Sequence, residues 1–68
     1  MIIITGGAGF IGSNLVNELC KQNKEVVVCD YKSSIKEKYY DQFNKIKKFI
    51  EPKELEKFTL SNKIDLIF

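Results

Sequence analysis

The sequence predicts an α/β fold: a parallel sheet with helices on both faces. Three observations carry this. Apolar runs of strand length recur at Ile2-Ile3-Ile4, Val26-Val27-Val28 and Ile64-Asp65-Leu66-Ile67-Phe68, and the first two lack the alternation of a half-exposed strand, as expected of strands covered on both faces. Stretches with helical spacing fall between the runs. All four glycines, Gly6, Gly7, Gly9 and Gly12, lie between the first strand and the body of the first helix, where the backbone needs its greatest freedom.

Residues 2–5 read as the first strand, continuous and β-branched. The first helix runs from Phe10 to Gln22. Phe10, Ile11, Leu15, Val16, Leu19 and Cys20 make its apolar stripe, with Asn14, Asn17, Glu18 and Lys21 largely on the other face. Asn23 stops it, because Asn tolerates the left-handed conformation. Glu25-Val26-Val27-Val28-Cys29 is the second strand and ends at Asp30; the short spacing suits a tight β-α-β crossover. Tyr31-Lys32-Ser33-Ser34 reads as a loop and Ile35 to Asn44 as the second helix, with Ile35, Tyr39, Tyr40 and Phe43 at helical spacing. The lysines between residues 31 and 48 outnumber Glu37 and Asp41 there, which reads as a solvated helix face. Ile46-Lys47-Lys48-Phe49-Ile50 alternates and is the third strand. Pro52 fits the first turn of a third helix, Lys53 to Leu60, whose buried side is Leu55, Phe58 and Leu60. Ser61-Asn62-Lys63 is a turn, and Ile64 to Phe68 the fourth strand.

The order β-α-β-α-β-α-β, joined by right-handed crossovers, is that of the N-terminal half of a Rossmann doubly wound fold with strand order 3-2-1-4. Residues 1–68 form one domain in this reading, incomplete because it stops at its fourth strand. A long apolar strand at an open edge is an aggregation hazard, so the expectation is a truncated fragment or a partner that supplies the rest.

Composition narrows the function. The hydrophobic fraction of 44% argues against disorder, although a chain this short buries only roughly 60% of its unfolded surface. The net charge is +2 and every basic residue is Lys, which argues against nucleic acid as a partner, since specific recognition there leans on Arg. The two cysteines, Cys20 and Cys29, have no metal-ligand or C-x-x-C spacing, and there is no His; they read as reduced core residues. No apolar run is long enough for a signal segment or a membrane span, so no membrane is expected and the location is read as cytoplasmic.

Strand, glycine turn and helix form the arrangement that receives a dinucleotide pyrophosphate. Gly7, Gly9 and Gly12 fit G-x-G-x-x-G; Gly6, Gly9 and Gly12 fit G-x-x-G-x-x-G. Gly6 or Gly7 would allow the tight turn, Gly9 the close approach of the pyrophosphate, and Gly12 the packing of helix on strand. The free N–H groups of Phe10 and Ile11 would face the phosphates. No Gly-Lys-Ser/Thr follows, which excludes a Walker P-loop. Asp30, at the end of the second strand and roughly 20 residues past the turn, sits where a carboxylate accepts hydrogen bonds from the adenosine ribose. Its charge would repel a 2′-phosphate and so favours NAD; Lys32 and Lys36 near the ribose keep NADP as the alternative. Asp30 as a plain strand-end cap is the non-functional reading.

Thr5-Gly6-Gly7-Ala8-Gly9-Phe10-Ile11-Gly12-Ser13-Asn14-Leu15-Val16 resembles the N-terminal signature of the extended short-chain dehydrogenase/reductase family, within it the NAD-dependent epimerase/dehydratase group that acts on nucleotide sugars. The resemblance implies a cofactor pyrophosphate bound at this motif, with Phe10 and Ile11 at contact positions and Asp30 on the ribose. A narrower likeness, to the ADP-glyceromanno-heptose 6-epimerase branch, rests on Ile50 to Phe58 and on Asp65-Leu66-Ile67-Phe68. Many members of that family carry an adenine-contacting Asp after strand three; the nearest acidic residue here is Glu51. The family's Tyr-x-x-x-Lys pair is absent, since Tyr31, Tyr39 and Tyr40 are followed at the fourth position by Ile35, Phe43 and Asn44. The implied role is the NAD(P)-binding portion of an enzyme whose nucleotide-sugar substrate meets the full-length protein, with no catalytic residue in this chain. The alternative is a non-catalytic dinucleotide-binding or redox-sensing module.

Overall fold

In the computed structural model, which describes residues 1–34 and 45–68, four strands form one sheet: β1 (Ile2–Thr5), β2 (Val26–Cys29), β3 (Lys48–Ile50) and β4 (Leu66–Ile67). Their order is β3-β2-β1-β4, and every pairing is parallel, as the sequence predicts. Helix α1 (Phe10–Lys21) joins β1 to β2. Helix α2 (Leu55–Ser61), entered through a 3₁₀ turn at Pro52–Glu54, joins β3 to β4. The helix predicted over Ile35 to Asn44 lies outside the described residues.

Successive side chains of a strand point to opposite faces, and this sorts the core into two layers. Ile4, Val26 and Val28 pack with Val16 of α1 on one face, with Leu15, Leu19 and Cys20 partly buried around them. Ile3, Val27, Cys29 and Ile50 form the other layer, covered in part by Leu55 and Phe58 of α2. All four residues of β2 are buried. Both faces being covered is the physical reason that Val26-Val27-Val28-Cys29 shows no polar alternation.

Phe10 and Ile11 do not join the buried stripe expected of them: they are 70% and 82% exposed. The buried positions of α1 are Ser13 and Val16. Gly12 and Ser13 occupy the side of the first turn nearest the sheet, which leaves Phe10 and Ile11 on the outer side. The buried Ser13 hydroxyl stays satisfied by donating to the Phe10 carbonyl at 3.0 Å. At the other end, Asn23 takes φ 60°, the left-handed conformation expected of it. Its N–H donates to the Cys20 carbonyl at 3.0 Å and that of Lys24 to the Leu19 carbonyl at 3.1 Å. These two bonds make a Schellman stop.

The second half departs from its predicted bounds in small ways. Residues 32–34 are a short 3₁₀ turn rather than irregular loop. Strand β3 starts at Lys48, two residues later than expected, because residues 45–47 are still turning. Helix α2 starts at Leu55 after its 3₁₀ turn, where the Glu54 carboxylate accepts the Glu51 N–H at 2.7 Å. Leu60 is 81% exposed, contrary to its expected place in the core. Leu55 and Phe58 take the sheet-facing side, and Leu60 lies about 200° around the helix from Phe58.

Strand β4 is at the sheet edge as expected but is two residues long rather than five. Backbone bonds extend its contact with β1: Asp65 N–H to the Met1 carbonyl, Phe68 N–H to that of Ile3, and Thr5 N–H to that of Phe68, each 2.9 Å. The Met1 ammonium also pairs with the Asp65 carboxylate. None of the described helices is long and apolar enough to cross a membrane.

Replacing Asn23 by Ala, which tolerates the left-handed region poorly, lowers unfolding free energy by about 1 kcal/mol, whereas Asn23→Gly does not; chemical denaturation reads both. Glu25 is held below its ordinary carboxylate value of 4.5 by its hydrogen bond and charge contact with Lys47, and Asp65 below 3.8 by those with the Met1 ammonium. A lowered folded-state pKa contributes stability that is whole above the ordinary value and is lost as pH falls through the folded one. The melting temperature therefore declines on acidification from about pH 4.5 downward. Glu25→Gln flattens part of the decline, and so does high salt, because both pairs are exposed.

Candidate functional site

The chain leaves β1 at Thr5 and reverses within a few residues to enter α1. Gly6 makes the reversal at φ +67°, a conformation that side-chain-bearing residues rarely adopt. Its N–H donates to the Cys29 carbonyl at 2.9 Å and its own carbonyl accepts the Gly9 N–H at 3.1 Å, so the turn is fastened to the end of β2. Gly7 is glycine for a different reason. A Cβ there would stand 2.7 Å from Val28 Cγ1, so β2 packs directly on the turn's backbone. At Gly12 a Cβ would come within 2.3 Å of the Gly6 carbonyl oxygen and 2.8 Å of Gly7 Cα. Gly12 thus lets α1 close on the turn itself, rather than on the strand as the motif predicts.

Gly9 differs from the other three. Its backbone is extended, at φ −78° and ψ 177°, which any residue adopts. A Cβ there would meet only the Gly6 carbonyl oxygen, at 3.4 Å. Neither conformation nor packing among the described residues requires glycine at this position.

Gly9 is also the N-cap of α1, and it has no side chain with which to cap. The helical bonding begins with Ser13 N–H to the Gly9 carbonyl at 2.8 Å, so the N–H groups of Phe10, Ile11 and Gly12 lie ahead of it. No acidic residue stands in the first turn. No carboxylate of the first turn itself offsets the positive end of the helix dipole, an arrangement that favours an anion.

Asp30 follows β2 and is half-buried. Its N–H donates to the Ile50 carbonyl at 3.0 Å. One carboxylate oxygen accepts the Tyr31 N–H at 2.7 Å, which is the strand-end cap of the non-functional reading. The other accepts the Ala8 N–H at 3.0 Å, reaching across to the glycine turn. Each oxygen keeps a second lone pair for an incoming hydroxyl. The structure thus brings Gly6, Gly9, Phe10, Ile11, Gly12 and Asp30 together at the C-terminal edge of β1 and β2. Lys32 sits just past Asp30, exposed, in the 3₁₀ turn. Sequence reasoning missed two parts of this arrangement: the packing of Gly7 against Val28 and the bond from Ala8 to Asp30. The spare glycine, one more than either template uses, was the available signal for the first.

Elsewhere the described residues offer less chemistry. Burial raises the thiol pKa of Cys20, and that of Cys29, where the Asp30 and Glu54 charges add to the effect; both are free cysteines. No group of His, Cys, Asp and Glu among the described residues is placed to hold a metal ion. An open groove of about 710 Å³ lies on the α2 face, lined by Lys48, Ile50, Lys53, Lys57 and Phe58 among others. The glycine turn is not part of it. Lys48 is already engaged there, its ammonium 5.6 Å from the centre of the Phe58 ring.

A 3-2-1-4 parallel sheet entered through a glycine turn from its first strand is a Rossmann-type α/β unit. The model of the NAD dependent epimerase/dehydratase family matches residues 2–68, and the chain belongs to that family. It is 37% identical over 75 aligned positions to an ADP-L-glycero-D-manno-heptose-6-epimerase of Brachyspira hyodysenteriae, a match covering 100% of this chain and 23% of that protein. An enzyme of the same name from Alkalilimnicola ehrlichii is 64% identical over 31 residues, 44% of this chain and 10% of the relative. A UDP-glucose 4-epimerase of Pasteurella multocida is 62% identical over 29 residues, 43% and 9% of the two chains. The chain thus spans between about a tenth and a quarter of the length of these relatives.

Gly12→Ala tests the packing described here. In an ordinary helix Gly to Ala stabilises by about 1 kcal/mol. Here the Cβ meets a backbone carbonyl that is itself hydrogen-bonded, and overpacking of this kind costs about 1–3 kcal/mol or more. The expected result is a lowered melting temperature for Gly12→Ala; an unchanged or raised one would show that α1 can back away from the turn.

Proposed function

We propose that this chain holds the adenosine and pyrophosphate of a nicotinamide dinucleotide within a nucleotide-sugar epimerase or dehydratase. The observation that carries the reading is Gly9. It is a glycine that neither its backbone conformation nor packing among the described residues requires, set at an uncapped helix N-terminus. A ligand that must approach the backbone closely supplies the missing reason, and a pyrophosphate suits the N–H groups and the dipole there. The open face at Gly9, which a Cβ would fill, fits that group.

In this reading the Phe10, Ile11 and Gly12 N–H groups donate to the phosphate oxygens. Asp30 accepts from the ribose hydroxyls through the lone pairs that Ala8 and Tyr31 leave free. Its negative charge disfavours a 2′-phosphate, so NAD is the preferred cofactor; Lys32 is the residue that would pair that phosphate if NADP were bound. When bound, the nicotinamide supplies a hydride acceptor for transient oxidation of a sugar carbon. The residues of this chain fix the opposite end of the cofactor and move no proton. The sugar-nucleotide names carried by the relatives support the substrate class, and the cytoplasm is the proposed location.

Titration with NAD and with NADP tests the proposal. Gly9→Ala is expected to leave the melting temperature unchanged or raised, since Ala adopts this backbone without strain, while NAD affinity falls about tenfold or more, equivalent to about 1.4 kcal/mol. Unchanged NAD affinity in that variant, or no binding by the wild-type protein, would sink the reading. Asp30→Ala should weaken NAD, and an unaltered affinity would remove the ribose role.

A further inference from the structure

We infer that Asp30 is a positioning residue for the glycine turn: its carboxylate holds the turn in the shape that accepts phosphate, separately from any contact with a ribose. The inference rests on the function proposed above. The turn contains Gly6, Gly7, Ala8 and Gly9, none of which has a polar side chain. Whatever fixes its shape must come from another element or from backbone bonds. The backbone supplies Gly6 N–H to Cys29 and Gly9 N–H to Gly6, at 2.9 and 3.1 Å. Between them lies Ala8, fully buried at 0% exposure, with its N–H directed to Asp30 at 3.0 Å.

A buried N–H must be paired, and leaving it unpaired carries the full desolvation penalty of that group. Here its partner is a carboxylate, which makes the bond stronger than one to a neutral acceptor. Asp30 is in turn held from two further directions. Tyr31 N–H donates to its other oxygen at 2.7 Å, and the Asp30 N–H is tied to Ile50 of β3 at 3.0 Å. The turn that follows β1 is therefore braced through Asp30 against β2 and β3. Without the brace, the Ala8 peptide loses its partner, and the N–H groups at the start of α1 are aimed less firmly.

Charge alone predicts the opposite sign, which makes the inference decidable. A carboxylate beside a bound pyrophosphate repels it, so deleting Asp30 would strengthen phosphate binding if repulsion were its main effect on the turn. If bracing dominates, deletion weakens it. The probes are ADP and 2′,3′-dideoxy-ADP, the second having no ribose hydroxyl for Asp30 to contact. Asp30→Ala is expected to weaken 2′,3′-dideoxy-ADP by about tenfold, the loss of one charge-assisted hydrogen bond, and ADP by more. Equal or tighter binding of 2′,3′-dideoxy-ADP by the variant overturns the inference and leaves Asp30 a ribose contact only. A wild-type protein that binds neither nucleotide removes the proposed function and this inference with it.

Amide hydrogen exchange in the ligand-free protein gives a second readout. Exchange at Ala8 should accelerate in Asp30→Ala while amides of β1 and β2 stay protected; unaltered exchange at Ala8 counts against the brace. Where Asp30→Ala does not melt cooperatively, Asp30→Asn replaces it. One carboxamide oxygen cannot serve both N–H donors, so exchange must accelerate at Ala8 or at Tyr31. Protection of both at wild-type levels overturns the inference.

Discussion

The closeness of α1 to the turn before it governs the architecture of this chain. With no side chain at Gly12, the helix backbone descends onto the Gly6 carbonyl and Gly7 Cα. With none at Gly7, Val28 of β2 reaches the same turn from the other side. The turn is thus clasped between a helix and a strand, with room for backbone alone. A methyl group at either position would lever the layers apart, and Val16, which seats α1 on Ile4, Val26 and Val28, would lose its depth. The geometry that leaves an exposed ledge of N–H groups at the helix start is the same geometry that fills the α1-side core.

Polarity at this edge of the sheet follows from that confinement. A turn of small residues cannot supply its own hydrogen-bonding side chains, so beyond the internal bond from Gly9 to Gly6 its donors face outward, back to the strand ends, or to a side chain sent from elsewhere. Each course is taken: the start of α1 faces solvent, Gly6 turns to Cys29, and Ala8 to Asp30. Phe10 and Ile11 stand exposed at the same place. An exposed Phe and Ile beside the leading N–H groups of a helix make a surface both apolar and suited to an anion, an unusual pairing for a face that meets only water.

The layout of the fold was legible in the sequence because it rests on local signals. The unalternating β1 and β2, the stop at Asn23 and the strand order all follow from periodicity, turn chemistry and the handedness of crossovers. The errors lay where the neighbour across the fold decides. Phe10 and Ile11 have the right spacing for a core stripe, but Gly12 turns the other side of the helix to the sheet. Leu60 falls two residues past Phe58, and only the placement of α2 shows that this is the wet side. The glycine turn was legible as a motif, and Asp30 as a carboxylate at the right spacing. That Gly7 makes room for Val28 while Gly9 makes room for no side chain among the described residues was not legible, because a motif counts glycines and does not say what each would touch.

The pairing of β1 with β4 has a consequence for the route by which the chain reaches this structure. Thr5 bonds to Phe68, and Met1 to Asp65, contacts separated by 63 and 64 positions in the sequence. By contrast, β1, α1 and β2 form a unit closed within residues 2–29. Closing a loop costs entropy that rises as the logarithm of its length, and topologies rich in distant pairings assemble slowly. The first crossover is therefore the natural early nucleus. The rim at Leu66 and Ile67, half-exposed and two residues long, is the last part to be zipped on and the first to come undone.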